Sequence, residues 1–237
     1  MIIRLFACLA VVFAAFSPVS AAEPQKVAIF GASGFIGAKI VAEAAARGHQ
    51  VTAISRSGSP GGPNIRVVKL DIADTAALAE ALKGQAAVID ALSTNRKAGL
   101  DERLAEQRAV TGSVFRAMKA AGVTRILAVG GAGTLLVKPG VTVFDSGAIP
   151  PAATAEIKST ALLLDLLKAE PGIAWTYLSP SASIVDGQRT GKFRLGGETL
   201  LTDAAGKSEI SLQDYAVAMI DELETPRHTG QRFTVGY

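Results

Sequence analysis

Between residues 27 and 40 the chain reads Val27-Ala28-Ile29-Phe30-Gly31-Ala32-Ser33-Gly34-Phe35-Ile36-Gly37-Ala38-Lys39-Ile40. Four apolar residues end abruptly in a turn with a glycine at every third position, and a helix-forming run over 38–47 begins at once. Each glycine has its own task. Gly31 lets the chain turn off the strand, Gly34 lets the backbone approach a pyrophosphate with no Cβ between, and Gly37 lets the helix pack close on a sheet. The first helical N–H groups have no intrahelical partner and point, with the positive end of the helix dipole, at whatever anion lies there.

The spacing is G-x-x-G-x-x-G, not the G-x-G-x-x-G of typical dinucleotide sites. The glycines alone are also satisfied by a tight turn that binds nothing. The context favours a nucleotide, because a strand precedes the turn, a helix follows it, and the unit returns to a second strand. Gly48 suits the left-handed position that ends a helix, and 49–54 reads as that second strand. It runs into Ser55-Arg56-Ser57, with no acid between Arg47 and Leu70. An acidic side chain at this strand end receives a ribose 2′-hydroxyl, whereas an arginine accommodates a 2′-phosphate. Arg56 therefore favours NADP(H) over NAD(H), although a solvated arginine is also common at a strand end.

The same alternation continues. A glycine- and proline-rich loop leads to a strand over 65–70 ending at Asp71-Ile72, where an adenine ring would rest. Asp74 caps a helix over 75–82, a strand over 86–92 follows, and Ser93-Thr94-Asn95 leave its end. A helix over 101–121 precedes a strand over 125–129. Residues 130–151 are irregular, a length that suits a functional lid. A helix over 152–169 and a strand over 173–178 lead into Ser179-Pro180-Ser181. The last third turns to hairpin chemistry at 192–197 and 203–206, with a capping-box pattern from Ser211 to Asp214 and a closing strand over 232–235. Strands alternating with helices predict an α/β fold: a Rossmann-type doubly wound parallel sheet with ligands outside the strand C-terminal ends.

The N-terminus is a separate object. One arginine, an apolar run over 5–16 and the small residues 17–22 have the layout of a secretory signal peptide cut after Ala21 or Ala22. A short buried helix or an uncleaved anchor would read similarly. The run falls short of the roughly 20 residues of a comfortable membrane span. Residues 1–22 are thus read as a leader for export, and 23–237 as a single domain. The leader carries the one cysteine, Cys8, and export sits awkwardly with a nicotinamide cofactor held mainly in the cytoplasm. A formal charge of +3 without a basic cluster gives no sign of nucleic acid, and two histidines with one cysteine build no metal-ligand spacing.

Taken together, the glycine turn 31–37, Arg56, Asp71 and Trp175-Thr176-Tyr177-Leu178-Ser179-Pro180 resemble the atypical short-chain dehydrogenase/reductases. The nearest group is the NAD(P)H-binding, NADH-flavin reductase branch, related to biliverdin/flavin reductases and NmrA-like proteins. Residues 191–197 and 232–237 are similar to that group too. The resemblance covers essentially all of the chain after Pro24. It implies a Rossmann sheet with a small C-terminal substrate-side region. The expected cofactor-binding set is Gly31, Ala32, Ser33, Gly34, Phe35, Ile36, Gly37, Arg56, Asp71, Ile72, Ala91, Leu92, Ser93, Gly130 and Pro180.

The departure concerns catalysis. Members of the wider family that act on alcohols and carbonyls use a serine after the fifth strand and a Tyr-x-x-x-Lys on the next helix, the tyrosine giving a proton to oxygen. Here Gly131, Ala132 and Gly133 stand at the strand end, and Thr154 precedes Lys158 at the tyrosine's spacing. Lys158 is the one catalytic candidate, reaching for the nicotinamide ribose, and is equally readable as a solvated helix lysine. The expected function is NAD(P)H-dependent reduction of a flavin-like or quinone acceptor by direct hydride transfer. Its site would be framed by Ser93, the 130–151 loop and Ser179-Pro180-Ser181. The alternative is a non-catalytic, redox-sensing NAD(P)-binding protein of the NmrA-like kind.

Overall fold

The computed structural model describes residues 23–147 and 149–237, so the leader read at residues 1–22 lies outside the described part. Strand β1 (Lys26–Phe30) passes through the glycine turn into α1 (Gly37–Ala46). There follow β2 (Gln50–Ser55), β3 (Ile65–Lys69), α2 (Thr75–Leu82), β4 (Ala87–Asp90), α3 (Leu100–Ala121) and β5 (Arg125–Val129). A short hairpin, β6 (Leu136–Lys138) and β7 (Val141–Thr142), precedes α4 (Thr154–Ala169) and β8 (Ala174–Ser179). The chain then runs through β9 (Ser183–Val185), β10 (Arg194–Gly196), β11 (Glu209–Ser211), α5 (Leu212–Glu224) and β12 (Gln231–Gly236).

Eight of these strands form one sheet in the order β10-β12-β8-β5-β4-β1-β2-β3. Every neighbouring pair is parallel except β10 with β12. Both faces are covered, and β1 shows how the sequence achieves this. Val27 and Ile29 pack with Ile40 and Ala44 of α1 and Tyr215 and Met219 of α5. Ala28 and Phe30 point the other way, to Leu78 of α2, Val114 and Met118 of α3 and Leu164 of α4. A strand buried on both sides reads as a continuous apolar run, as 27–30 does. From β1 the sheet grows through β2 to β3 on one side and then resumes at β4 on the other. The crevice at the C-terminal ends of β1 and β4 is the switch point where ligands bind in such sheets.

The α/β expectation holds, with differences that have local causes. The fourth strand ends at Asp90 rather than residue 92, because the Asp90 carboxylate accepts the Leu92 N–H at 3.0 Å and turns the chain off the sheet. The 130–151 segment is not wholly irregular, since it holds the β6–β7 hairpin. Leu136 N–H donates to Glu198 O at 2.8 Å, Leu200 N–H donates to Leu136 O at 2.9 Å, and Arg232 donates to Thr134 Oγ1 at 2.6 Å. The hairpin is therefore fastened at its base. Residues 194–196 add an antiparallel edge to β12 instead of folding on a neighbouring hairpin arm. At α5 half of the capping box forms: Ser211 Oγ accepts the Asp214 N–H at 3.0 Å. The fully buried Asp214 carboxylate turns elsewhere, accepting the Thr190 and Gly191 N–H groups at 2.8 Å and the Tyr237 hydroxyl at 2.8 Å.

Candidate functional site

At the end of β1 the turn is as tight as its glycines suggest. Gly31 has φ +67°, and a Cβ there would lie 2.3 Å from Ala91 O. A Cβ on Gly37 would lie 2.1 Å from Gly31 O, so this glycine serves the closure of the turn on itself. Gly34 N–H closes the turn on Gly31 O at 2.8 Å. The N-cap residue of α1, Ile36, offers no side-chain cap, and the first turn holds no acid. The N–H groups of Phe35 and Ile36 donate to no described residue. Anion-seeking donors are thus left at the mouth of the crevice.

Two cavities meet over this turn. The first, about 360 Å³, is lined by Gly31, Ser33, Gly34, Ser55, Arg56, Ser57, Asp71, Ile72, Ala91, Leu92 and Ser93, with Glu106, Gln107 and Val110 of α3. The Arg56 guanidinium is exposed and has no partner among the described residues. Beside it Ser33 Oγ and Ser57 Oγ lie 3.2 Å apart. On the wall, the buried Ser55 Oγ has no hydrogen-bond partner. The Asp71 carboxylate is engaged locally, accepting Ala73 N–H at 2.9 Å. These residues fit a dinucleotide. The turn cradles the space a pyrophosphate needs, with orphan donors beside it, and a free cation with two hydroxyls stands at the second strand end.

The second cavity, about 630 Å³, shares Gly34, Ala91, Leu92 and Ser93 with the first and continues past Phe35 and Ile36 to Gly130 and Pro180. Its wall is mostly apolar, with Val143, Ile149, Ile157 and Ile184, and Phe35 stands 58% exposed at its edge. All the expected cofactor residues line one cavity or the other except Ala32 and Gly37, which shape the turn between them. Lys158 lines neither; it is exposed on α4, whose Ile157 and Thr160 face the cavity instead.

The strand-five end explains the missing serine. A Cβ on Gly130 would fall 2.2 Å from the Tyr177 ring, one on Gly131 2.7 Å from Thr160 Oγ1, and one on Gly133 2.4 Å from Ile157 Cγ2. At these three glycines the segment is pressed against β8 and α4 with no room for a Cβ. The Tyr177 hydroxyl joins the two walls, accepting Gly131 N–H at 3.0 Å and donating to Thr160 O at 2.9 Å. Burial pushes its pKa up to about 12, and its proton is already given to a carbonyl, so it is no general acid. Tyr177→Phe should lower stability by about 1–2 kcal/mol through the two lost bonds, read by urea denaturation. A variant as stable as wild type would show that the hydroxyl contributes nothing there.

Sequence reasoning missed Ser57, the α3 residues and the polar contacts behind them. Arg103, Gln107 and Thr111 are buried and recur every fourth residue on α3, a polar stripe facing inward. Gln107 donates to Thr111 Oγ1 at 3.0 Å and accepts from Ser159 Oγ of α4 at 3.0 Å. That periodicity is visible in the sequence and was the available signal. Among the described residues no group of three or more His, Cys, Asp or Glu converges as a metal site, and no helix is long and apolar enough to cross a membrane.

Comparison with known proteins places this geometry in context. Residues 31–226 match the NAD(P)H-binding family. A Burkholderia pseudomallei structure, provisionally named an exported protein, is 40% identical, with 90% of this chain and 100% of that one covered and a TM-score of 0.79. A Bacteroides thetaiotaomicron structure, provisionally named an epimerase, is 38% identical over 91% of this chain and 98% of its own, with a TM-score of 0.82. A Streptococcus pneumoniae structure, provisionally named an NADH-flavin reductase, is 33% identical over 90% and 99%, with a TM-score of 0.76.

Proposed function

The chain belongs to the NAD(P)H-binding family, and from that premise we propose that it is a reductase passing hydride from NADPH to a planar, conjugated acceptor of the flavin or quinone kind. The observation that carries this reading is the joining of the two cavities over the glycine turn, one ending at Arg56 with its flanking serines and the other ending under residues 130–133. The cofactor supplies a hydride. The chain's own part is to hold both ligands: the free N–H groups of Phe35 and Ile36 before α1 take the pyrophosphate, Arg56 with Ser33 and Ser57 takes the 2′-phosphate, and Asp71 and Ile72 flank the adenine.

Reduction of a simple ketone needs a proton donor on oxygen, and Tyr177 is spent. A flavin-like or quinone ring delocalises the arriving charge and takes its proton from water, so positioning against the apolar wall supplies most of the catalysis. An epimerase, as the Bacteroides protein is provisionally named, would need a free base, and Glu156 in this cavity is tied to Arg103.

Arg56→Asp should weaken NADPH binding by about 10- to 100-fold, the worth of a charged hydrogen bond, and leave NADH binding much less changed. Fluorescence titration with both cofactors reads this, and equal affinity of the wild type for the two would remove the NADPH preference. The function itself is tested by NADPH oxidation with FMN, riboflavin and a panel of quinones. Tight NADPH binding without acceptor-dependent oxidation would leave the non-catalytic sensor as the function. Export is part of the proposal, with a mature start near Ala22 or Glu23 expected on sequencing the N-terminus from fractionated cells. An intact Met1 in the cytoplasmic fraction would overturn it.

A further inference from the structure

The acceptor cavity contains a group that the proposed reaction has so far left unused. Arg103, in the first turn of α3, is 4% exposed and lines this cavity. Its Nε donates to Thr94 Oγ1 at 3.0 Å, and its Nη2 is paired with the Glu156 carboxylate of α4. Its Nη1 donates to no residue. Nη1 is not among the buried atoms left without a partner, so it reaches open space, and the cavity Arg103 lines is where a ligand would meet it. Thr94 is itself held, 3.4 Å from Ser159 Oγ, which donates to Gln107 Oε1 at 3.0 Å. The guanidinium is therefore fixed from behind, and Nη1 is left unpaired at a cavity whose other polar lining includes Ser93, Arg96 and Thr160.

We propose that Arg103 is the catalytic electrophile of this site, its free Nη1 edge donating to the acceptor oxygen on which negative charge collects as the ring is reduced. The inference rests on the reading of this cavity as the acceptor site. The acceptor ring gains a hydride, whose two electrons leave the dihydronicotinamide and convert it to the oxidised cofactor. The acceptor's carbonyl oxygen becomes an oxyanion and takes its proton from water. Arg103 acts only as a charged hydrogen-bond donor and transfers no proton in this step. Glu156 balances its charge while the acceptor is neutral, so a neutral acceptor meets no buried excess charge. The unpaired edge is already aimed when charge develops, and no donor has to be reorganised. The substrate class narrows to planar compounds with a carbonyl conjugated to the hydride-accepting atom.

Alizarin, a hydroxyanthraquinone whose colour reports ionisation of its phenol, tests this without turnover. The dye is titrated with the full chain, with and without NADP+, and its absorbance followed against pH. Bound dye should ionise about one pH unit lower than free dye, a tenfold shift toward the anion, as expected beside an opposite charge. Arg103→Met should abolish the shift, and so should the double variant Arg103→Met/Glu156→Gln, which removes the pair without changing its net charge. A purely structural pair predicts a shift that survives in the double variant. If Arg103→Met does not fold, the double variant decides: a lost shift supports the proposal, and an unchanged one overturns it. Dye that binds with unshifted ionisation, or a shift that survives in Arg103→Met, overturns the role of Arg103 and leaves the acceptor cavity standing. Dye that does not bind at all overturns both.

Discussion

Gly31→Ala should cost the protein about 100-fold in NADPH affinity and at least about 3 kcal/mol of stability, the scale of a clash in a special backbone conformation. Two penalties act together. At φ +67° a Cβ is strained by about 1–2 kcal/mol on its own. The added carbon would also lie 2.3 Å from Ala91 O, which is backbone and has no rotamer to escape into. Relief requires β1 and the end of β4 to part, and those two ends are the facing walls of the crevice. Gly48→Ala is the control, because its φ is +86° but nothing lies within 4 Å of the added carbon. It should cost about 1 kcal/mol and leave cofactor affinity unchanged. Isothermal titration and urea denaturation on both variants read the difference. Wild-type affinity in Gly31→Ala would mean that the crevice is not where the cofactor sits.

Asp90→Asn should make the protein more stable at pH 8, by about 2 kcal/mol, with the gain disappearing toward pH 4. Asp90 is 3% exposed at the end of β4, and burial pushes its pKa up to about 6 from an ordinary 3.8, against the single Leu92 N–H that favours the charge. A carboxyl whose folded pKa is raised binds its proton more tightly in the native state. Its favourable contribution is complete below about pH 4 and is lost as pH rises through about 6, where the native state must carry a buried charge. An amide keeps the acceptor for Leu92 N–H and never ionises. Its extra NH2 group needs a partner, which holds the gain below the roughly 3 kcal/mol of a two-unit shift. Denaturation curves at pH 4, 6 and 8 decide it, and a variant no more stable than wild type at pH 8 would show that Asp90 keeps its charge without penalty.

The parts of this molecule that a sequence discloses are those fixed by local chemistry. The glycine turn, the buried strands and the helix ends at Asp74 and Gly122 depend on residues near each other in the chain, and all lie where local rules put them. The polar crevice was legible for the same reason, since strand ends and the turns after them build it. The apolar cavity was not. Its wall comes from α3, α4, the hairpin segment and β9, whose residues look like ordinary core in a linear reading. Lys158 shows the converse: a spacing borrowed from relatives put it on the right helix, while the side of α4 facing the cavity was set by how Ile157 packs under Gly133. Why Glu198 rather than a helix residue anchors the hairpin is equally invisible without the sheet edge beside it.

The position of β12 bears on how the chain comes to be assembled. It is the last strand in chain order, yet it lies inside the sheet, between β8 and β10. β10 is made earlier but has β12 as its only neighbour in that sheet, and the base of the hairpin depends on Arg232 of the same strand. A nascent chain can lay down β1 to β8 as it emerges, but the far edge and the hairpin's footing must wait for the final strand. Such long-range closure is slow and leaves a sheet edge open in the interim. Under the export proposed above, the hairpin beside the apolar cavity would gain its footing on Arg232 only after residues 231–236 have crossed the membrane.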